Sequence, residues 1–291
     1  HRCCAMLISS YEDITLGPSL RRDPGAQMYR GHGHGQWLAV KHRANPSFGQ
    51  RKAFRRELSI LEDLQHRNIV LCLGFCKSHE LLTLFFESCE GGSAFDLIHR
   101  SHIELQPSQK CTMLGDVAVA MEFLHSRTPA VVHRDLKSLN LELSTPVCSS
   151  KDMPCVKVCG FGSARTIRKE SKNSKPSTMT KNVGTLNWRA PEAASGSYDE
   201  KVDVYSFAMV TFELLSYGMP FADLVVDDIH LAVSQGSRPD LQAVVPGTPV
   251  ALTELMKECW AGVPAGRPSF KEIGIRLAQN GLYRDRNPVS L

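Results

Sequence analysis

The chain of 291 residues is long enough for one two-lobed domain or two small ones, and 42% hydrophobic residues are ample for a packed core. A net charge of +4 is too mild to point to nucleic acid or a membrane surface as a partner. No apolar run approaches the roughly 18 residues of a membrane span, and no signal peptide is evident, so neither spanning nor secretion is indicated.

From His1 to Asp13 the sequence is patternless and reads as a lead-in. Because it opens on His1 and not Met, it reads as a piece of something longer. From Ile14 to Lys41, Gly, Pro and short apolar segments predict strands and turns, with Gly31-His32-Gly33-His34-Gly35 as a hairpin turn. His32 and His34 lack a third metal ligand and fit a turn better than a metal site. Phe54, Leu58 and Leu61 recur at helical spacing among Arg51, Lys52, Arg55, Arg56, Glu62 and Asp63, which predicts a helix. Leu71 to Phe86, broken at Lys77-Ser78-His79, predicts a strand pair. Pro107 to His125 predicts a second helix. The segment from Val202 to Leu215 is apolar nearly all round, as in a buried helix. Helical patterns continue through Ala251–Trp260 and Ser269–Ala278. Strands first and helices afterwards give an α+β fold of two lobes.

Ten cysteines are scattered without the CxxC pairs or Cys/His clusters that zinc needs, which reads as reduced thiols of an intracellular protein. Arg165, Arg168, Lys169, Lys172, Lys175 and Lys181 face Glu170 alone in one Ser/Thr-bearing stretch, either a solvated loop or a regulatory one.

His133-Arg134-Asp135-Leu136-Lys137-Ser138-Leu139-Asn140 carries the chemistry. Phosphoryl transfer to a hydroxyl needs a carboxylate to orient it, a cation beside the phosphate and an amide oxygen for Mg²⁺. Asp135, Lys137 and Asn140 supply these groups on one loop. This octapeptide resembles the catalytic loop of the protein kinases. Around it, in kinase order, stand Ala39-Val40-Lys41, Glu57, His66-Arg67-Asn68-Ile69-Val70, Glu90-Gly91-Gly92-Ser93, Ala190-Pro191-Glu192, Asp203 and Gly266-Arg267-Pro268. Lys137, with Gly184-Thr185 ahead of Trp188-Arg189-Ala190-Pro191-Glu192, resembles serine/threonine kinases. Asp203-Val204-Tyr205-Ser206-Phe207 and Arg267-Pro268-Ser269-Phe270 resemble the tyrosine-kinase-like group, which includes the mixed-lineage and Raf kinases.

The resemblance implies a kinase domain over residues 14–283, with a β-rich N-lobe at about 14–87, a helical C-lobe at about 90–283 and a tail at 284–291. It implies that Lys41, paired with Glu57, and the hinge residues Glu87 and Cys89 face ATP. Arg134 would engage a phosphate on Ser177, Thr178 or Thr180. Phe161, Glu192, Asp203 and Arg267 would hold the fold.

Three departures weaken the machinery. Gly160-Phe161-Gly162 replaces Asp-Phe-Gly, so Asn140 loses its partner ligand and Mg²⁺ binding is expected to be weak or absent. The glycine-rich loop falls on Arg21-Arg22-Asp23-Pro24-Gly25-Ala26, with none of its three glycines in place. Glu142 falls where an apolar residue lines the floor under adenine, and a buried carboxylate there costs several kcal/mol, roughly. Phe86 guards the back of the pocket. Together these favour a pseudokinase that binds a protein partner, an active kinase among the candidates, with ATP as a candidate ligand. The alternatives are a weak serine/threonine kinase using Asp135, Lys137 and Asn140, and a decayed product without a role.

Overall fold

The computed structural model describes residues 13–23, 26–167, 185–196 and 198–283. Its first part is an antiparallel sheet of β1 (Thr15–Asp23), β2 (Ala26–Gly33), β3 (Gln36–Ala44), β4 (Cys72–Lys77) and β5 (Leu81–Glu87), in the order β1-β2-β3-β5-β4. Alternation along β3 and β5 sends Leu38, Val40 and Phe85 to one face, where they meet Ile14 and Leu73. On the other face, Leu82 and Leu84 share a core with Phe54, Ile60 and Leu61 of α1 (Phe48–Leu61). Helix α1 begins at a reciprocal cap: Ser47 Oγ accepts from Gln50 N, and Gln50 Oε1 from Ser47 N. Such a cap is worth about 1 kcal/mol.

The expected five-residue hairpin turn is shorter. β2 runs to Gly33, which pairs with Gln36, so only His34 and Gly35 turn, at φ of 50° and 75°. Gly31 serves packing instead of the turn, since a Cβ there would lie 2.7 Å from Val40 Cγ2. Asp23 pairs with Ala26, which confines the β1–β2 connection to residues 24 and 25, outside the described residues.

The second part is helical: α2 (Ala94–His99), α3 (Pro107–Ser126), α4 (Lys201–Ser216), α5 (Val226–Ser234), α6 (Val250–Cys259) and α7 (Phe270–Gln279). Helix α4 is buried from Val202 through Leu215, as its all-round apolar sequence predicts. Two short antiparallel pairs, β6 (Ala130–Val132) with β9 (Arg165–Ile167) and β7 (Leu141–Leu143) with β8 (Val156–Val158), carry the loops of the site. Sequence periodicity missed α2 and α5, both short, although Ser93 caps α2 by accepting from Asp96 N at 3.1 Å. This is an α+β domain with a small antiparallel sheet and a larger helical part. Among the described residues no helix is long and apolar enough to cross a membrane.

Candidate active site

The loop between β6 and β7 is anchored from below by α4. Asp203 is fully buried, and it accepts from the His133 and Arg134 backbone N–H groups at 2.8 Å each and is bonded to His125 Nε2 at 2.8 Å. Burial alone would push its carboxyl up, but His125, His133 and the Arg134 amide outweigh it, and the net shift is downward. This grip holds Arg134 in the left-handed region at φ 70°, a conformation that costs about 1–3 kcal/mol. With the backbone fixed, Asp135 points into the cleft.

Asp135 is the hub of a polar cluster. Lys137 Nζ lies 3.0 Å from its Oδ2 and donates to Thr185 Oγ1 at 2.6 Å. The Thr185 N–H reaches Asp135 Oδ1 at 3.3 Å. Asn140 Nδ2 donates to both the Asp135 carbonyl at 2.7 Å and Oδ2 at 3.0 Å. The structure therefore brings Asp135, Lys137 and Asn140 together as the sequence suggests, and adds Thr185, which the sequence reading mentioned only as part of a dipeptide.

Beside this cluster Gly160 packs against Asn140. Gly160 keeps a left-handed backbone, φ 85° and ψ 43°. A Cβ at Gly160 would stand 2.6 Å from Asn140 Cγ and 2.8 Å from each of its amide atoms. The Asn140 side chain occupies the volume that a carboxylate on residue 160 would need. The donor set does not fit Mg²⁺, which takes six oxygens at about 2.0–2.1 Å and is usually held by one or two carboxylates. Among the described residues no group of three or more His, Cys, Asp or Glu is arranged to hold a metal. Phe161 is nonetheless buried, edge-on to His133 with ring centres 5.1 Å apart.

On the sheet side, Lys41 Nζ of β3 meets Glu57 Oε1 of α1 at 2.7 Å, with both side chains largely shielded from solvent. The Glu87 carboxylate accepts from Leu71 N at 2.7 Å and Lys157 Nζ at 2.8 Å, so it ties the end of β5 to the residue before β4 and to β8. Burial, and then the nearby Glu87 and Glu142 carboxylates, push the half-buried Cys89 thiol up to about 12. Among the described residues the Cys89 backbone N–H has no protein partner. Glu142 does face this cleft: Leu141 and Leu143 turn into the core, while the Glu142 carboxylate lies 3.9 Å from Cys159 Sγ. The half-buried Phe86 completes β5 at the back.

Arg134 stands among other cations. Burial first, and then Arg56 of α1, hold the Arg134 guanidinium below its usual range, and burial, then Arg134 and Arg56, bring Arg165 of β9 down to about 10. Tyr198 lies under the Arg134 guanidinium, 5.6 Å from ring centre to carbon. Sequence reading named only Arg134 here; Arg56 and Arg165 are far apart in the chain and carry no motif. Ser177, Thr178 and Thr180 lie outside the described residues. Farther down, Arg267 grips Glu192 with two bonds, 2.6 and 3.0 Å, and its own side chain is fully buried. Glu213, which the sequence reading also missed, is fully buried and bonded to His99, Ser138 and Trp188 at 2.5–2.9 Å.

A family profile described as protein tyrosine and serine/threonine kinase matches residues 25–277. The chain is 34% identical over 284 residues to the probable serine/threonine-protein kinase SIS8 of Arabidopsis thaliana, covering 96% of this chain and 26% of that protein. It is 32% identical over 269 residues to a probable serine/threonine-protein kinase of Dictyostelium discoideum, covering 91% and 27%. With the dual specificity protein kinase pyk3 of the same organism it shares 31% over 264 residues, covering 90% and 18%. The chain thus spans about a quarter or less of these relatives. Fold, loop geometry and profile agree: this chain belongs to the protein tyrosine and serine/threonine kinase family.

Proposed function

We propose that this member of the family is a pseudokinase of the tyrosine-kinase-like group, acting inside the cell as a signalling scaffold or allosteric partner of another protein, with active kinases among the candidate partners. The observation that carries this reading is Gly160 itself, which offers no metal ligand beside Asn140 and where an added Cβ would lie 2.6 Å from Asn140 Cγ. ATP stays a candidate ligand because the Lys41–Glu57 pair is formed and the backbone N–H of the hinge residue Cys89 has no protein partner among the described residues. Any nucleotide that binds does so without Mg²⁺, against a floor made acidic by Glu142. The residues that brace the fold, Phe161, Glu192, Asp203 and Arg267, are all engaged, as a binding module requires. The test is transfer of labelled γ-phosphate to the chain itself and to generic protein substrates, with Mg²⁺ or Mn²⁺. No transfer above an Asp135→Asn control is expected.

A second reading, a weak serine/threonine kinase, is favoured by one observation: Lys137 joins Asp135 and Thr185 within 3.0 Å, a geometry suited to orienting a hydroxyl. Transfer that disappears in Asp135→Asn would establish it. Under either reading, phosphorylation of Ser177, Thr178 or Thr180 by another kinase would place a dianion opposite Arg134, Arg165 and Arg56.

A further inference from the structure

The last described residue, Tyr283, is a buried tyrosine that reaches from the end of α7 across α3. Its seat is made by an absence of side chain: a Cβ on Gly115 in the middle of α3 would collide with the Tyr283 ring atoms. The hydroxyl then donates to Asp116 Oδ1 at 3.3 Å and accepts from Arg67 Nη2 at 3.4 Å. Asp116 is nearly fully buried, and its other oxygen accepts from the Val156 N–H at 2.9 Å. One phenol therefore joins three separate elements: α3, the start of β8, and the segment that links α1 to β4.

That linking segment is the pivot of α1. Arg67 Nε also holds Asn68 Oδ1 at 3.0 Å, and Asn68 Nδ2 donates to the Val156 carbonyl at 2.9 Å. Asn68 and Val70 pair with Val158 through backbone bonds of 2.8 and 3.0 Å, and His66 stacks on Phe123 of α3 at 4.9 Å. Glu57, whose carboxylate holds Lys41, sits one helical turn before α1 ends at Leu61, and Leu61 and Leu64 are buried in the same core. Residues 62–66 join α1 to this segment. Backbone bonds from Glu62, Asp63 and Leu64 back to Leu58, Ile60 and Leu61, with Leu61 and Leu64 in one core, couple displacement at 66–68 to the end of α1.

We propose that Tyr283 is a latch through which the end of the domain controls the setting of α1, and hence the Lys41–Glu57 pair, from the side of the molecule remote from the cleft. Seated, it ties the linking segment to α3; withdrawn, it breaks the bonds to Arg67 and Asp116. Whatever engages or pulls the chain at the end of α7 acts on this latch. The inference does not depend on whether the cleft binds nucleotide.

The test uses the full chain with Tyr283→Phe, which keeps the ring on Gly115 and removes only the hydroxyl, and Arg67→Ala. Gly115→Ala, which evicts the ring, is the stronger variant, and Leu255→Val in α6 is the control for general loosening. Amide hydrogen exchange is read at residues 66–70 and 156–158, and Lys41 acetylation by an amine-reactive reagent reports the ion pair. Tyr283→Phe and Arg67→Ala should each speed exchange at both segments and Lys41 labelling about five-fold, the ratio an ordinary hydrogen bond sets, while their combination adds little. Leu255→Val should leave both readouts unchanged. Faster exchange confined to residues 277–283, or the same response in Leu255→Val, would overturn the proposal.

Discussion

Asn140 and Gly160 exclude each other's normal roles: a Cβ on Gly160 would lie 2.6 Å from Asn140 Cγ, while the Asn140 amide is committed twice to Asp135. Gly160→Asp must displace Asn140 and also place a residue with a Cβ at φ 85°. It is expected to destabilise the fold by about 1–3 kcal/mol in urea titration and to leave nucleotide binding without Mg²⁺ dependence. A variant as stable as the parent, with Mg²⁺-dependent binding, would show that Asn140 yields freely.

The Arg267–Glu192 pair is bidentate and its guanidinium is fully shielded. Removing one partner of such a pair leaves a buried charge, so Arg267→Ala should cost about 3–5 kcal/mol. Arg267→Lys keeps the charge but loses the planar fork and the bonds to the Ala261 and Lys201 carbonyls, and is expected to recover little of the loss. Chemical denaturation of both variants measures this, and full recovery by lysine would contradict the geometric argument.

Tyr205 gives the opposite sign. Its ring lies between the Arg238 and Arg267 guanidiniums, yet its hydroxyl is buried without a hydrogen-bond partner among the described residues. Burial pushes the phenol up to about 12. Tyr205→Phe removes an unsatisfied group and keeps the ring contacts, so stability should be unchanged or higher by about 1 kcal/mol. A loss of that size in urea unfolding would reveal a partner for the hydroxyl.

Arg165 sits near Arg134 and Arg56, whose charges add to burial in disfavouring its ionised form. Arg165→Gln should therefore raise the stability of the unphosphorylated protein by a few tenths of a kcal/mol, up to about 1. It should also blunt the stabilisation that follows treatment with an activating kinase, as should Ser177, Thr178 and Thr180 changed together to Ala. Thermal unfolding before and after treatment reads both effects, and an undiminished gain in either variant would remove Arg134 and its neighbours from the mechanism.

Much of this was legible in the residues. Apolar spacing located α1, α3, α4, α6 and α7 because each is long enough for its period to show, and the octapeptide from His133 to Asn140 located the site. What escaped depends on three-dimensional proximity. Glu87 sits at a hinge position, and only the fold brings Lys157, seventy residues on, to its carboxylate. Arg165 sits in a basic run where nothing singles it out until β9 pairs with β6. The Gly31–Gly35 stretch misled because glycine serves close packing as well as turns, and only His34 and Gly35 turn. Glu142 lies between Leu141 and Leu143, and strand alternation buries those two and turns Glu142 to the opposite face.

The most direct test of the central claim is a thermal-shift titration of the chain with ATP and ADP, each with and without Mg²⁺ or Mn²⁺. Ligand at a hundred times its dissociation constant adds about 2.7 kcal/mol, a clear shift for a domain of this size. The expected result is that metal makes no difference, whether the nucleotide stabilises the fold through Lys41 or not at all. Saturable stabilisation that requires the metal would mean that Asn140 and Asp135 hold it without residue 160, and would contradict the account.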